Sequence, residues 1–303
     1  MPALDRLPGL AGVRCFAWPL AVANLMANIG IVVTGGAVRL TDSGLGCPTW
    51  PRCTEDSYVV HGELGINGAI EFGNRTLTFV LAAIAIACWV AALLPVLRDR
   101  TGADRRPLIV ATVIALGVPA QALIGGVTVL TDLNPWVVAL HLLVSFGIIG
   151  VCVLLLDILV GRPRAWAVPR SRQAALATFL VGWVVLYLGT VVTGSGPHSG
   201  DQESRRTGLD PGTMSHVHAW AVYALVALTI LTVVFARRDG NLPLLTAALA
   251  LLATEAVQAV IGYSQYFLDL PIALVLLHML GAALTAAALA WLAIATRARR
   301  PAR

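Results

Sequence analysis

The chain has 303 residues, of which 58% are hydrophobic and only 12% charged. A soluble domain carries about 25% charged residues, so the composition excludes an ordinary water-soluble fold and indicates a polytopic membrane protein. The formal net charge of +5 is built from arginine alone, with no lysine, and it bears on membrane topology before it bears on any nucleic-acid partner.

At the N-terminus, Arg6 and Arg14 precede an apolar stretch that is too long for a secretory leader and has no clear small-x-small cleavage site. It reads as an uncleaved first span. A crossing needs about 20 mostly apolar residues, and eight segments qualify: 16–37, 74–97, 107–130, 135–160, 172–194, 215–236, 243–265 and 270–295. Pro107, Pro135 and Pro243 stand at or near helix starts, where a missing N–H is tolerated. Pro119 lies inside the third span and predicts a kink there. With the N-terminus in the cytoplasm, 16 arginines fall on inner segments and five outside, namely Arg39, Arg52, Arg75, Arg205 and Arg206. That excess predicts both termini inside. Cys15, Cys88 and Cys152 lie in or beside apolar runs and read as small apolar filler.

An internal repeat sets the architecture. Gln121–His141 reads QALIGGVTVLTDLNPWVVALH, and Gln258–His278 reads QAVIGYSQYFLDLPIALVLLH; at an offset of 137 residues, nine of 21 positions are identical. Upstream, Val32-Val33-Thr34-Gly35 returns as Val191-Val192-Thr193-Gly194. Each unit has four spans, so both enter the membrane from the same side. The predicted fold is an all-α integral membrane protein, with eight transmembrane helices arranged as two four-helix bundles related by a pseudo-twofold along the membrane normal. The halves are residues 1–165 and 166–303. They differ in the first outer loop: 39 steps separate Gly35 from Asn74, against 24 from Gly194 to His218.

Each repeat copy closes on a histidine inside an apolar helix, which is an expensive place for an imidazole. His141, His218 and His278 all fall near the outer ends of their spans. Facing histidines from neighbouring helices form an axial cage for haem iron. The plainer reading is a histidine hydrogen-bonded between helices, and matched repeat positions weigh against it. Too few Cys, His or carboxylates share one level for a zinc site.

These residues resemble the haem A synthase family over essentially the whole chain. The carriers are VVTGGAVRLTDSGLGCPTWPRC (32–53), AIEFGNR (69–75), QALIGGVTVL with LHLLVS (121–145), VVTGSGPHSGD (191–201), SHVHA (215–219), and QAVIG with LHMLGA (258–282). The resemblance implies eight helices in two halves and oxidation of the C8 methyl of haem O to a formyl group by successive hydroxylations, giving haem A for terminal oxidases. It also implies a haem b that carries electrons in the C-terminal half and a substrate haem in the N-terminal half. The location implied is a bacterial plasma membrane.

By position, His218 and His278 match the haem b iron ligands, and His141 matches a ligand to the substrate haem iron. His216 lies two residues from His218 and faces roughly 200° away on a helix, so the two cannot serve one iron. Glu71 matches the family's catalytic carboxylate. Its roles would be a base or a carboxylate stabilising a cation at the methyl being oxidised; the plainer role is an interfacial partner of Arg75 at i+4. Arg75 and Arg39 could pair with haem propionates. At position 74 the family usually has His and this chain has Asn74, which leaves the substrate haem with His141 alone unless His61 reaches in. Cys47 and Cys53 sit in an outer loop where disulfides persist, and the resemblance implies a redox-active pair; a structural staple is the alternative. Trp50 between prolines would make that loop a stiff lid. Glu255 is mid-span and reads as a polar lining, while His198 reads as a loop residue.

The partners implied are haem O, the haem O synthase that supplies it, terminal oxidase assembly factors, the lipid bilayer and a second copy of the chain, with no nucleic acid. Two competing functions remain: a di-haem b-type electron carrier without enzymatic activity, and a solute transporter built from parallel repeats.

Overall fold

Each of the eight apolar segments folds as one long α-helix in the computed structural model, which describes residues 8–99, 102–161 and 165–298. The helices are α1 (Pro8–Leu40), α2 (Gly65–Arg98), α3 (Arg106–Leu130), α4 (Pro135–Val160), α5 (Pro169–Ser195), α6 (Pro211–Arg238), α7 (Leu242–Phe267) and α8 (Ile272–Ala295). The shortest has 24 residues and rises about 36 Å, more than the roughly 30 Å hydrocarbon thickness. An all-helical membrane fold is therefore what the sequence builds. The strands among the described residues are β1 (Ala165–Trp166) and β2 (Arg297–Ala298), a two-residue antiparallel pair. Of the arginines counted for topology, Arg6, Arg100, Arg162, Arg164, Arg299, Arg300 and Arg303 lie outside the described residues, as do the side chains of Arg14 and Cys15.

One boundary departs clearly from expectation. α2 begins at Gly65 rather than near 74. Its first turns carry Asn67, Glu71 and Asn74, which lower the hydropathy; the preceding loop bonds Asn67 and Glu71, and Thr34 of α1 bonds Asn74, so the helix continues. Elsewhere helix starts follow local chemistry. Proline opens α4, α5 and α6, and the side chains of Asn134, Asp210 and Asn241 accept backbone N–H groups of the first turns of α4, α6 and α7.

In the first half α1 and α3 each pack against α2 and α4; in the second, α5 and α7 each pack against α6 and α8. α4 against α8 forms the seam, flanked by α1 on α8 and α5 on α4. The largest apolar cluster crosses this seam and includes Phe146, Ile149, Leu251, Ala283, Ala286 and Leu289.

The repeat is also written in the backbone. Asp132 and Leu133 take φ of 51° and 55°, and Asp269 and Leu270 take 58° and 57°. Left-handed φ is uncommon for non-glycine residues, yet the same Asp-Leu pair adopts it in both turns. The Leu133 amide donates to Thr128 O and the Leu270 amide to Gln265 O, each at 2.8 Å. A shared helix-hairpin turn is the physical reason why Asp-Leu is identical at the 137-residue offset.

Two faces of the bundle follow. On the disulfide face, Gly44 N donates to Gly200 O at 2.8 Å, and Arg39 donates through Nε to His198 O at 2.5 Å and through Nη2 to Thr193 O at 2.8 Å. On the opposite, terminal face, Asp239 after α6 accepts from Arg170 Nε at 2.9 Å and from Ser171 Oγ, both at the start of α5.

Candidate functional site

His141 and His278 each sit six residues into their helices, about 9 Å along the axis, and His218 sits seven residues into α6, about 10 Å. The late start of α8 at Ile272 brings His278 level with His141. The backbone around both is held alike. Gln121 Nε2 donates to His141 O at 3.0 Å, and Gln258 Nε2 donates to His278 O at 3.0 Å. Each glutamine opens its copy of the repeat, so the identity noted in the sequence is an interhelical clamp that sets the register of the histidine.

Glycine faces every ring. A β-carbon on Gly125 would lie 3.4 Å from His141 Cε1, one on Gly262 3.4 Å from His278 Cε1, and one on Gly189 3.4 Å from His218 Cε1. A β-carbon at each of these positions would sit in ordinary van der Waals contact with the imidazole edge, so the neighbouring helix lies against each ring. All three rings are half-buried, and in each the Nδ1 is buried with no hydrogen-bond partner. The plainer reading, a histidine hydrogen-bonded between helices, finds no such bond at His141 or His278 among the described residues, whereas the His218 ring lies against the backbone of Val185 on α5. An unpaired buried polar group costs about 1–3 kcal/mol, a cost that each ring carries at Nδ1 and that leaves its other nitrogen, Nε2, as the donor atom for an iron. His218 on α6 and His278 on α8 stand diagonally across the second half, since each helix packs on α5 and α7. That arrangement and the glycine-lined ring edges fit a planar group with two axial imidazoles.

His216 does not share this setting. It is exposed, with its ring 6.4 Å from that of Tyr266, as the angular offset from His218 predicts.

The first half holds only one such imidazole. At the position matching His218, Asn74 turns toward α1 and accepts from Thr34 Oγ1 at 2.8 Å. Where Gly189 abuts His218, the corresponding Gly30 of α1 would place a β-carbon with nothing within 4 Å. The shorter asparagine thus leaves open space beside the site. His61 stays exposed at the start of a short 3-10 turn, Gly62–Leu64, that leads directly into α2, and no hydrogen bond ties it to the site among the described residues.

Over this half lies the cysteine loop. Cys47 and Cys53 form a disulfide and are buried. Arg75 and Glu71 fasten it. Arg75 donates to Cys47 O at 2.9 Å, Thr49 O at 3.0 Å and Arg52 O at 3.1 Å, while Nε also reaches Glu71 Oε1 at 3.0 Å. Glu71 Oε2 accepts the Cys47 N–H at 2.7 Å. Both carboxylate oxygens are therefore occupied, and the side chain is 7% exposed. The i, i+4 pair is real, but its larger work is to clamp the loop to α2.

The loop's Trp50 packs onto α3: a β-carbon on Gly126 would fall 2.4 Å from the indole. Gly125 meets His141 and the adjacent Gly126 meets Trp50, so lid and imidazole share one helix turn. Sequence reasoning anticipated the lid but not its seat; the two adjacent glycines, of which only the first recurs in the second half, were the available signal. Arg39 is spent on joining α1 to α5 and the 198 loop, with Nη1 left without a partner among the described residues. His198 Nε2 lies 3.2 Å from Leu270 O, so this loop residue ties the α5–α6 loop to the α7–α8 turn.

The sequence profile described as cytochrome oxidase assembly protein matches residues 18–67 and 63–198. Three similar proteins bear the name haem A synthase. One from Shewanella oneidensis is 24% identical over 88% of this chain and 92% of its own length. One from Lysinibacillus sphaericus is 28% identical over 59% of this chain and 58% of its own. One from Exiguobacterium sibiricum is 30% identical over 54% of this chain and 53% of its own.

Proposed function

Because this chain belongs to the cytochrome oxidase assembly protein family, we propose that it is a haem A synthase, a membrane oxidoreductase that converts the C8 methyl of haem O to a formyl group by successive hydroxylations. Haem O is its substrate and haem A its product, destined for terminal oxidases. The observation that carries the reading is the set of three imidazoles at similar depth near the disulfide face, two of them at matched repeat positions and clamped alike by Gln121 and Gln258.

In this reading residues 166–303 hold haem b between His218 and His278. Haem b, when bound, supplies one-electron transfer away from the substrate. Gln258 fixes the height of His278, and Gly189 of α5 and Gly262 of α7 lie against the edges of the two imidazoles. Residues 1–165 take the substrate haem on His141 alone. Beside Asn74 and Gly30 no second imidazole closes that site. A single axial imidazole also suits a haem that must arrive from a haem O synthase and leave again.

Glu71 is the catalytic carboxylate. With both oxygens accepting hydrogen bonds, one set of them from Arg75, it acts as fixed negative charge toward a carbon that becomes electron-poor, rather than as a mobile base. The disulfide loop excludes bulk water from this end. Of the two arginines assigned to propionates, Arg39 has an Nη1 without a partner among the described residues, whereas every nitrogen of Arg75 is engaged. The arginine distribution supports both termini on the cytoplasmic side of a bacterial plasma membrane, and a disulfide on the opposite face agrees with that orientation.

The test is the pigment. Purified protein should show a Soret band, and co-expression with a haem O source should yield haem A by chromatography of extracted pigments. A coloured protein that yields no haem A is the di-haem carrier; a colourless one sinks both haem readings. Glu71→Gln preserves an acceptor for Cys47 N–H and removes the charge. It should keep haem b and lose product; full activity would reduce Glu71 to a loop fastener.

A further inference from the structure

Glu255 lies in the middle of α7, is 4% exposed, and plays no part in the chemistry above. Its Oε1 accepts from Thr229 Oγ1 of α6 at 2.8 Å, and its Oε2 is buried without a partner. An intramembrane carboxylate requires a compensating group, and an unpaired buried charge costs several kcal/mol. The helices packed on α7 are α6 and α8. α6 brings His216, His218, Tyr223, Arg237 and Arg238, α8 brings His278, and α7 itself adds Tyr263 and Tyr266. Arg237 is eight residues beyond Thr229, about 12 Å toward the terminal face. Both tyrosines of α7 and Tyr223 lie toward the disulfide face. No protein cation pairs with Glu255 among the described residues.

What lies nearest along the helix is the histidine clamp. Gln258 is one turn from Glu255, about 4.5 Å along the axis, and its amide holds His278 O while its own Oε1 is also buried and unpartnered. The first half shows that this acid is no requirement of the hairpin. At the positions matching Glu255 and Thr229 it carries Val118 and Ala85, which pack with Leu81 in one apolar cluster. A carboxylate with its hydroxyl donor has been built into one copy only, the copy assigned to electron transfer.

We propose that Glu255 binds a proton whenever the haem of the second half takes up an electron. The inference rests on the assignment of haem b to His218 and His278. The balance is one electron and one proton: a haem held between His218 and His278 would take one electron released by substrate oxidation, passing from iron(III) to iron(II), and the Glu255 carboxylate would take one proton from solvent hydronium, leaving water, to become the neutral acid. Oxidised iron porphyrin carries the positive charge that the carboxylate lacks among protein groups, and reduction removes it, so electron and proton travel together.

The experiment is a redox titration of the second-half haem, followed by its visible spectrum, in the full haem-loaded chain across a range of pH. In the unaltered protein the potential should fall as pH rises; in Glu255→Gln, which keeps the volume and an acceptor for Thr229, that dependence should vanish. Reduced-minus-oxidised infrared spectra should gain a carboxylic acid carbonyl band that E255Q lacks. Thr229→Val removes the donor that favours the carboxylate, so it should move the pH-dependent region upward; this variant decides the matter if E255Q does not accumulate. An identical pH dependence in E255Q, or an unmoved one in T229V, overturns the proposal. A colourless protein overturns the functional reading instead.

Discussion

The two halves of this molecule share a backbone and differ in what they bury. Both fold the same α-hairpin, with a left-handed Asp-Leu turn, a glutamine clamped to the carbonyl of a histidine, and glycine against that ring. In the second half the opposite helix supplies another imidazole, and beneath it a threonine and a buried acid. In the first half the opposite helix supplies Asn74, tied back to Thr34, and beneath it valine and alanine. The first half alone is covered by a disulfide loop. The difference teaches that duplication conserved the frame for one imidazole per half. Divergence then left two imidazoles and a buried acid in one half, and in the other a single imidazole beside an asparagine under a disulfide loop.

The largest test of that contrast removes the imidazoles. His278→Ala or His218→Ala should strip tightly bound haem from the purified protein, with affinity lower by at least about 100-fold, since even losing the outer-shell partner of a metal ligand costs 10–100-fold. His141→Ala should leave that haem in place and abolish haem A formation. Haem-to-protein ratio and extracted pigments read both. If H141A and H278A lose the same pigment equally, the halves are not functionally distinct.

A second variant moves the first half toward the second. Asn74→His places an imidazole in the gap beside Gly30 and offers the substrate haem a second axial ligand. Retention of substrate or product haem through purification should rise at least about tenfold, equivalent to roughly 1.4 kcal/mol, and turnover should fall because release slows. Unchanged retention would mean that the gap is not the open face of the substrate site.

Much of this was legible in the residues. The eight spans, the repeat, and the histidines with their glutamines follow from hydropathy and self-similarity, because lipid leaves the chain few alternatives to long helices. The early start of α2 was not legible, because Glu71 and Asn74 look like loop residues until the cysteine loop and Thr34 of α1 are in place to pair them. The roles of Arg39 and Arg75 were equally hidden. Sequence shows a guanidinium near an interface, but not that Arg75 will spend its donors on three loop carbonyls or that Arg39 will join the halves. Such contacts are long-range and depend on folded loops rather than on periodicity.

The lid gives a smaller effect with the same asymmetry. Gly126 seats Trp50, whereas its repeat counterpart is Tyr263, which is 50% exposed. Gly126→Ala forces the indole out of its seat and should cost about 1–3 kcal/mol, as overpacking does. Tyr263→Ala, at an exposed position, should stay within about 0.5 kcal/mol. Thermal unfolding in detergent compares them, and G126A should also make Cys47 and Cys53 easier to reduce because the loop loses its anchor on α3.

The smallest effects are expected at the shared turn, and they test whether the frame really is common. Asp132 and Asp269 are both exposed, at φ of 51° and 58°, with no side-chain hydrogen bond among the described residues. Glycine removes a left-handed cost of about 1–2 kcal/mol and adds about 0.5–1 kcal/mol of lost chain entropy. Asp132→Gly and Asp269→Gly should therefore each stabilise by under about 1 kcal/mol, and by the same amount. The neighbouring leucines should part company. A β-carbon on Gly44 would meet Leu133 Cδ1 at 2.8 Å and one on Gly200 at 3.0 Å, so Leu133 is wedged under the loops that join the halves. Leu270 is only half-buried. Leu133→Ala should then approach the 2–5 kcal/mol of a buried leucine, and Leu270→Ala should cost clearly less. Equal losses at the leucines would place the asymmetry of the molecule elsewhere than in the loops of the disulfide face.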